Sequence, residues 1–378
     1  HTMVSFLTNT NQQHYSGQAQ LSYLSQMTGI VGLQVVTPMM GLAMVVATLR
    51  ALFGGRNPAD TVREGGADPT VERVDVGNYW ADVVRPTVRF MLPLCLLWTL
   101  LLTSQGVPST LAAGPVATPV DRSAGMTEQK IPLGPVAAMV AAKQLGSNGG
   151  GWYGPNSSVP LENPTPLSNL LETLGILLIP VSVVFMVGAF TGRRKFTALV
   201  FGSMMLMSVV STGAAIWFEA HSVTAADPAL MEGKEVRLGA DASALWAAVT
   251  TQVNNGSVNA MHDSLAPLTG LVALVNMLVN AIWGGVGCGL QQFIVYLLLS
   301  VFLAGLMTGR TPELFGRKIE AGEVRWLALL ILLQPLVVLG LTAITLAVPS
   351  ITGNSNPGFH GISQVFYEYV SAFANNGS

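Results

Sequence analysis

The sequence predicts an all-α polytopic membrane protein, and three observations support that prediction. Half of the 378 residues are hydrophobic and only 10% are charged, whereas soluble domains average about 25% charged residues. The mean hydropathy is +0.51. Apolar stretches long enough to cross a bilayer of about 30 Å recur along the chain. A net charge of −2 gives no reason to expect a nucleic acid as partner.

Five stretches have the length and composition of membrane spans: residues 27–53, 86–103, 166–190, 196–218 and 326–348. A sixth stretch, residues 266–309, is too long for one straight span. It is interrupted by four closely spaced glycines, which are Gly284, Gly285, Gly287 and Gly289.

The basic residues predict the sidedness of these spans. Three polar segments contain 13 of the 18 Lys and Arg residues: the first holds Arg50, Arg56, Arg63, Arg73, Arg85 and Arg89, the second holds Arg193, Arg194 and Lys195, and the third holds Arg310, Arg317, Lys318 and Arg325. Cytoplasmic loops are enriched in these residues, so the intervening loops are expected outside. Two full crossings by residues 266–309 would put the third basic segment on the outside of the membrane. We therefore expect one crossing by a broken helix.

The outer segments share a pattern. Short helices are predicted over residues 134–146, 240–253 and 361–374, and residues 1–7 read as the tail of another. Each precedes a compact motif, namely Thr8-Asn9-Thr10-Asn11, Ser147-Asn148-Gly149, Asn254-Asn255-Gly256 and Asn375-Asn376-Gly377. The motifs lie about 105 to 140 residues apart, and repetition on this scale indicates one structural unit used several times. The sequence predicts four pseudo-repeated helix–pore loop–helix units around a central pore, as in the potassium-channel-like superfamily.

This repeat predicts the organisation of the chain. Residues 1–53 form the end of repeat 1, 54–85 a cytoplasmic loop, 86–192 repeat 2, 193–309 repeat 3 with its broken inner helix, 310–325 a second cytoplasmic loop, and 326–378 repeat 4. Because the chain begins at His1 rather than Met and ends within the fourth motif, we expect a fragment that is truncated at both ends.

The motif chemistry suits a monovalent cation. A potassium ion must exchange its water shell for rings of backbone carbonyl, Thr or Asn oxygens. Gly, and to a lesser degree Asn, tolerate the backbone angles that aim consecutive carbonyls at one axis. The motifs contain no carboxylate, although calcium and magnesium sites want Asp or Glu oxygens. One Asn-Gly motif alone equally predicts a surface turn, but four on one predicted side favour an ion filter.

Several motifs, in this order, resemble one family. They are Thr8-Asn9-Thr10-Asn11, Gly134-Pro135-Val136-Ala137 and the run from there to Gly151, Glu162-Asn163-Pro164-Thr165, Met231-Glu232-Gly233-Lys234, Ala260-Met261-His262-Asp263-Ser264, Gly309-Arg310-Thr311-Pro312-Glu313 and Asn356-Pro357-Gly358. Together they are similar to the potassium-binding subunit of the bacterial Kdp potassium-transporting ATPase, over essentially the whole chain.

The resemblance implies a potassium filter, bound potassium, and further helices before His1 and after Ser378. The implied filter residues are Thr8, Asn9, Thr10, Asn11, Ser147, Asn148, Gly149, Asn254, Asn255, Gly256, Asn375, Asn376 and Gly377, with Gln13 beside the first loop. It also implies a complex with a P-type ATPase catalytic subunit and small accessory membrane subunits, surrounded by lipid in the bacterial inner membrane. Gln12 stands where members usually have Trp, and Ser147 replaces a common Thr, so ion affinity is expected to differ more than ion identity.

Two further groups have alternative interpretations. The Gly284, Gly285, Gly287 and Gly289 cluster either gates the path beneath the filter or permits close helix packing. Arg310, Arg317 and Lys318 either contact the ATPase partner or anchor the cytoplasmic side. Glu172 follows the start of a span closely enough to be expected near the outer interface.

The chain contains no Gly-x-x-x-x-Gly-Lys-Ser/Thr loop and no Asp-Lys-Thr-Gly segment. We therefore predict a non-hydrolytic subunit that binds no nucleotide and has no catalytic site, with ATP hydrolysis delegated to the partner. The alternative is a stand-alone potassium channel or an ion-coupled potassium transporter of the same superfamily. A polytopic membrane enzyme would need a cluster of polar catalytic groups at one depth, which the sequence does not suggest.

Overall fold

The computed structural model describes residues 1–54, 75–123, 125–222, 231–348, 350–356 and 358–378. It confirms the all-α fold class, because six described helices are long and apolar enough to cross a membrane. They are Ser25–Phe53, Tyr79–Ser104, Pro166–Thr191, Arg194–Ala220, Cys288–Thr308 and Ala321–Ala347. Arg56, Arg63, Arg73 and Pro357, which entered the predictions above, lie outside the described residues.

The helices are numbered in chain order. They are α1 (Thr2–Leu7), α2 (Gly17–Gln20), α3 (Gly32–Phe53), α4 (Tyr79–Pro86), α5 (Leu92–Ser104), α6 (Val136–Leu145), α7 (Pro166–Val184), α8 (Met186–Thr191), α9 (Arg194–Ala220), α10 (Ala240–Val253), α11 (Pro267–Val279), α12 (Cys288–Thr308), α13 (Ala321–Ala347) and α14 (Gly358–Phe373). π-helical turns over Ser25–Val31 and Thr87–Met91 lead into α3 and α5. Two small hairpins pair β1 (Val116–Ala117) with β2 (Gln129–Lys130) and β3 (Glu313–Leu314) with β4 (Arg317–Lys318).

Long helices flank the short helices that precede the four motifs, and α6 and α10 are the most buried of those short helices. Helix α6 packs against α5 and α7, α10 against α9 and α11, α14 against α13, and α1 against α3. All of α6 except Ala138 is buried. In contrast, Leu199, Leu206 and Val210 of α9 are exposed, and an apolar surface of this extent fits contact with lipid. The predicted short helix before each motif is therefore present, with the motif at the buried end of it.

Capping groups explain why two long helices begin earlier than predicted. The Asn78 side chain accepts the Ala81 N–H at 3.0 Å, so α4 begins at Tyr79 and not at Pro86, which lies inside it. A proline inside a helix interrupts the regular backbone bonds, and a π-helical turn follows directly. Similarly, a capping box formed with Glu320 starts α13 at Ala321 rather than at residue 326.

Residues 266–309 contain two helices that are separated by a break. Helix α11 ends at Val279 and α12 begins at Cys288. Between them Asn280, Gly284, Gly285 and Gly287 have left-handed φ angles of 48°, 54°, 69° and 106°. Helix α12 has 21 residues and is long enough to cross a membrane alone, whereas α11 has only 13. A single crossing by the two together stays a prediction.

Candidate functional site

The four motifs form loops that share a pattern of left-handed φ angles, and we call residues 9–11, 147–149, 254–256 and 375–377 loops 1 to 4. The first position of every loop has a left-handed φ, which is 65° at Asn9, 53° at Ser147, 57° at Asn254 and 57° at Asn375. The third position does too, with 54° at Asn11, 79° at Gly149, 87° at Gly256 and 87° at Gly377. Such angles turn successive carbonyls in unusual directions, as an ion-lining loop requires.

One backbone hydrogen bond to the preceding helix recurs in all four loops. The second-position N–H donates to a carbonyl in the preceding helix: Thr10 to Ser5 at 3.0 Å, Asn148 to Lys143 at 3.0 Å, Asn255 to Thr250 at 2.9 Å, and Asn376 to Ser371 at 2.9 Å. The same bond occurs in all four repeated units, so it belongs to the structure that the units share. It fixes the loop at the helix end without any regular secondary structure.

Side-chain hydrogen bonds join the four loops into a closed ring. Asn9 Nδ2 donates to the Ser147 carbonyl at 3.2 Å, which joins loops 1 and 2. Two further bonds join a loop to the helix that carries its neighbour: Asn255 Nδ2 of loop 3 donates to the Lys143 carbonyl of α6 at 3.1 Å, and Asn376 Nδ2 of loop 4 donates to the Thr250 carbonyl of α10 at 2.9 Å. Thr10 Oγ1 donates to Asn375 Oδ1 at 3.0 Å, which joins loops 1 and 4 and closes the ring. The structure thus brings all four predicted motifs together.

The third-position glycines allow the loops to approach closely. A Cβ atom on Gly149 would overlap the Asn255 carbonyl oxygen, one on Gly256 the Asn376 oxygen, and one on Gly377 the Thr10 oxygen. Loop 1 differs, since Asn11 takes the third position. Its side chain is buried, and its amide has no hydrogen-bond partner among the described residues.

Three side-chain amides hold the carbonyls of loop 2 and the two glycines after it. Asn156 Nδ2 donates to the Gly149 carbonyl at 2.5 Å, and Gln34 Nε2 donates to that of Gly150 at 2.6 Å. Gln13 donates to the Gly151 carbonyl at 3.2 Å and accepts the Gly151 N–H at 3.0 Å. Gln13 was predicted beside the first loop, and its contacts place it as a brace between loop 1 and the glycines that follow loop 2.

Gln12, which departs from the family pattern, reaches the fourth unit. Its Nε2 donates to Glu368 Oε2 of α14 at 3.1 Å. Burial raises the pKa of the Glu368 carboxyl above its ordinary value, and the charge of nearby His14 offsets part of that rise. The bond ties the residue after loop 1 to the helix that precedes loop 4.

The loops offer oxygens without carboxylates, which suits potassium. Ser147 Oγ and Asn254 Oδ1, both at first positions, are buried and have no hydrogen-bond partner in the described part of the chain. Across the described ranges, no group of three or more His, Cys, Asp or Glu side chains could hold a metal ion. Neutral oxygen ligands favour a weakly hydrated monovalent cation over a divalent one.

The break between α11 and α12 lies against loops 2 and 3. The N–H groups of Trp283 and Gly284 donate to the Gln252 carbonyl at 3.1 and 2.9 Å, and the Asn254 and Asn280 side chains are in contact. A Cβ on Gly285 would lie 3.4 Å from the Val253 carbonyl oxygen and 3.9 Å from Ser147 Cβ. Of the predicted gating glycines, Gly285 is therefore next to the loops, whereas Gly287 lies against Val45 of α3 and Gly289 is in α12.

The predicted partner-contact residues are separate from the loops. Arg317 donates to the Ala51 carbonyl at 2.9 Å and pairs with Glu323 at 2.6 Å, so it fastens the β3–β4 hairpin to α3 and α13. Arg310 and Lys318 are exposed.

The sequence interpretation missed a buried charged cluster behind loop 2. Lys143, Glu162 and Glu172 are all fully buried, and Lys143 forms an ion pair with Glu162. Glu172 faces inward from α7 toward α6, where it accepts from Gln144 and Ser157. Its expected depth near the outer interface stays a prediction. A single Lys inside an apolar short helix was the available signal, since a charge in such a place needs a buried partner.

Comparisons with known proteins identify the family to which the chain is similar. A family model described as the potassium-transporting ATPase A subunit matches residues 1–378. A potassium-transporting ATPase potassium-binding subunit from Pseudomonas fluorescens (strain Pf0-1) is 46% identical over 385 residues, covering 100% of this chain and 65% of that protein. The protein of the same name from Gloeobacter violaceus (strain ATCC 29082 / PCC 7421) is 43% identical over 392 residues, with the same coverage.

This chain thus spans 65% of the length of those two relatives, and the family model covers all of its residues. The order and identity of the motifs, the membrane-spanning helices and the whole-chain match lead to one conclusion. The chain belongs to the family of potassium-transporting ATPase A subunits.

Proposed function

We propose that this chain provides the potassium-selecting pore of a potassium-binding and translocating subunit, within an ATP-driven high-affinity uptake complex. The observation that supports this most directly is the closed ring of four loops, each with left-handed angles at its first and third positions. The relatives are named as potassium-binding subunits, which supports potassium as the ion.

In this proposal the ring replaces the hydration shell of the ion. The second-position carbonyls of Thr10, Asn255 and Asn376 lie against the third position of a neighbouring loop, and their N–H groups are bonded back to the preceding helix. A ring held this way keeps its oxygens at a spacing that offsets the dehydration of potassium. The filter would comprise loops 1 to 4 with Thr8, whose hydroxyl lies 3.1 Å from that of Thr10.

We infer that the break at residues 280–287 gates the ion path beneath the ring, on the side opposite to the ion entrance. Gly285→Ala is expected to lower the maximal transport rate severalfold while changing half-saturation for potassium much less. The added methyl group would occupy a left-handed position of φ 69°, at a cost of about 1–2 kcal/mol, beside Val253 and Ser147. Potassium uptake by cells that express the full-length chain would measure this.

The matched control is Gly309→Ala, because Gly309 has a φ of 65° and open space around it. Wild-type transport by Gly285→Ala at normal expression would contradict the gating role and favour simple helix packing.

The sidedness also belongs to the proposal. Basic segments would face the cytoplasm and the loops the outside of the bacterial inner membrane, with the four-repeat division described above. Exposed Arg310 and Lys318 would meet the P-type catalytic subunit, which hydrolyses ATP, while small accessory subunits and lipid cover other faces. Arg317 would hold the hairpin that presents them, since it is bonded to Ala51 and Glu323.

Potassium dependence of ATP hydrolysis tests the proposed function. The full-length subunit, purified with its ATPase partner, is expected to show ATP hydrolysis that rises with added potassium and is lost when the ring is disrupted. Co-purification with a phosphorylated ATPase subunit would accompany it. A chain that moves potassium across vesicles without any ATPase would instead favour a stand-alone channel or an ion-coupled transporter.

A further inference from the structure

The buried cluster behind loop 2 surrounds one ammonium group. Lys143 Nζ donates to Asn156 Oδ1 at 2.7 Å and to Ser157 Oγ at 2.6 Å. It also pairs directly with Glu162 and lies 3.9 Å from Glu172. Two carboxylates therefore share one ammonium, and all three charged side chains are fully buried. Such a group is costly to bury unless every member is paired and hydrogen-bonded. Its position beside loop 2 therefore suggests a functional role.

Lys143 occupies a position that holds a hydroxyl in the other three units. The side-chain oxygens of Thr250 and Ser371 accept the third-position N–H groups of Gly256 and Gly377 at 2.9 Å, and that of Ser5 accepts the N–H of Gln12, the residue after loop 1, at 2.9 Å. The lysine side chain has no acceptor. Among the described residues, the Gly149 N–H bonds only to the Lys143 carbonyl, at 3.2 Å, as the Asn11 N–H of loop 1 does to the Ser5 carbonyl. Loop 2 thus lacks the hydroxyl brace that steadies its three counterparts.

The ammonium provides a substitute through Asn156. The Oδ1 atom of Asn156 accepts from Lys143 Nζ at 2.7 Å, while its Nδ2 donates to the Gly149 carbonyl at 2.5 Å. Because one amide spans both contacts, the ammonium fixes which way the amide faces, and the amide fixes the Gly149 carbonyl. We call this chain of contacts, from the buried Lys143 ammonium through the Asn156 amide to the Gly149 carbonyl oxygen, the relay.

The same cluster reaches loop 3 by two routes. The Lys143 carbonyl accepts from Asn255 Nδ2 at 3.1 Å. Glu172 Oε2 accepts from Gln144 Nε2 at 2.7 Å, and Gln144 Oε1 accepts from Ser257 Oγ at 3.0 Å. The cluster is consequently bonded to the residues that set the distance between loops 2 and 3.

We propose that Lys143 is a positioning residue for ion selectivity, which acts through Asn156 to hold the Gly149 carbonyl and the spacing of loops 2 and 3. Lys143 does not touch the ion. This inference rests on the proposed function, because it assigns Lys143 a task only if the ring is the filter.

The test compares ions in the full-length subunit, assembled with its ATPase partner. Lys143→Met with Glu162→Gln removes the ammonium and its direct carboxylate partner together, so the formal charge of the cluster does not change. Asn156→Gly removes the amide between Lys143 and Gly149 and leaves the ion pair in place, and glycine suits the left-handed φ of 60° at this position. ATP hydrolysis is measured against K⁺, Rb⁺ and NH₄⁺ concentration. Both variants are expected to raise half-saturating K⁺ about tenfold, as loss of one buried hydrogen-bond partner does, and to reduce the preference for K⁺ over Rb⁺ and NH₄⁺.

A triple variant with Lys143→Met, Glu162→Gln and Asn156→Gly distinguishes a relay from general loosening of the structure. A relay predicts that the triple variant shifts selectivity no further than either parent, whereas independent structural damage would add. The matched control is Lys234→Met with Glu219→Gln, which removes another buried ion pair of 2.9 Å. That ion pair holds Ser264 and Ala266, beyond loop 3. The control variant is therefore expected to keep the wild-type selectivity.

Wild-type selectivity in both test variants, within an assembled complex, would overturn the inference. So would additive shifts, or an equal shift in the control pair. Gly256→Ala separates this failure from failure of the proposed function: if it shifts selectivity while the relay variants do not, only the role of Lys143 is wrong. If Gly256→Ala is also without effect, the ring is not the filter.

Discussion

Gly256→Ala is expected to abolish high-affinity potassium stimulation of ATP hydrolysis, with at least about a hundredfold rise in half-saturating potassium. The added Cβ atom would overlap the Asn376 carbonyl oxygen of loop 4. That oxygen belongs to backbone, which cannot rotate away as a flexible side chain would, and the left-handed φ of 87° adds strain of about 1–2 kcal/mol. Loops 3 and 4 must therefore separate. Titration of ATPase activity with potassium in the assembled complex measures the effect.

The chain offers a close control for this substitution. Gly239 has the same φ of 87°, but a Cβ there meets no atom within 4 Å. Gly239→Ala introduces the backbone strain without the collision, and we expect half-saturation within about twofold of wild type. If the two variants behave alike, backbone strain and not loop separation is responsible, and close packing of loops 3 and 4 is not needed for affinity.

Lys143→Met alone is expected to lower the free energy of unfolding by about 3–5 kcal/mol, because it leaves the Glu162 and Glu172 carboxylates buried without their ammonium. Denaturant unfolding of the full-length subunit in detergent would measure it. Adding Glu162→Gln should recover part of the loss, since only one buried carboxylate then remains.

Lys130→Met provides the comparison, because Lys130 lies exposed in β2 and its removal should change stability by less than about 0.5 kcal/mol. A loss below about 1 kcal/mol for Lys143→Met would contradict the buried ion pair with Glu162. The prediction concerns stability alone, whereas the selectivity test above uses the variant whose cluster charge is preserved.

The sequence predicts the parts of the fold that local chemistry determines. Long apolar runs predict the spanning helices, and the Asn and Gly residues of each motif predict left-handed backbone, which the structure places at Asn254 and Gly256 among others. The ends of helices are less predictable. Pro86 resembles a helix start, but the side chain of Asn78 caps the helix earlier, and either residue could begin a helix.

The contacts between units could not be predicted in the same way. Asn255 bonds to the Lys143 carbonyl, which lies 112 residues before it, and no periodicity encodes such a pairing. Hydropathy also did not show which way Glu172 faces: packing of α6 against α7 encloses its side chain. Alignment of the four loops on one another would have shown that Lys143 stands where the other units have Ser5, Thr250 and Ser371.

The position of the ion itself tests the four-loop site most directly. Crystals of the full-length subunit in its complex, grown with Tl⁺ as a potassium mimic, would reveal the ion by anomalous scattering. We predict anomalous peaks enclosed by loops 1 to 4, next to the carbonyls of Thr10, Asn148, Asn255 and Asn376, and their loss in Gly256→Ala. Ordered Tl⁺ elsewhere in the subunit, with no peak inside the ring at saturating Tl⁺, would contradict a filter built from these loops.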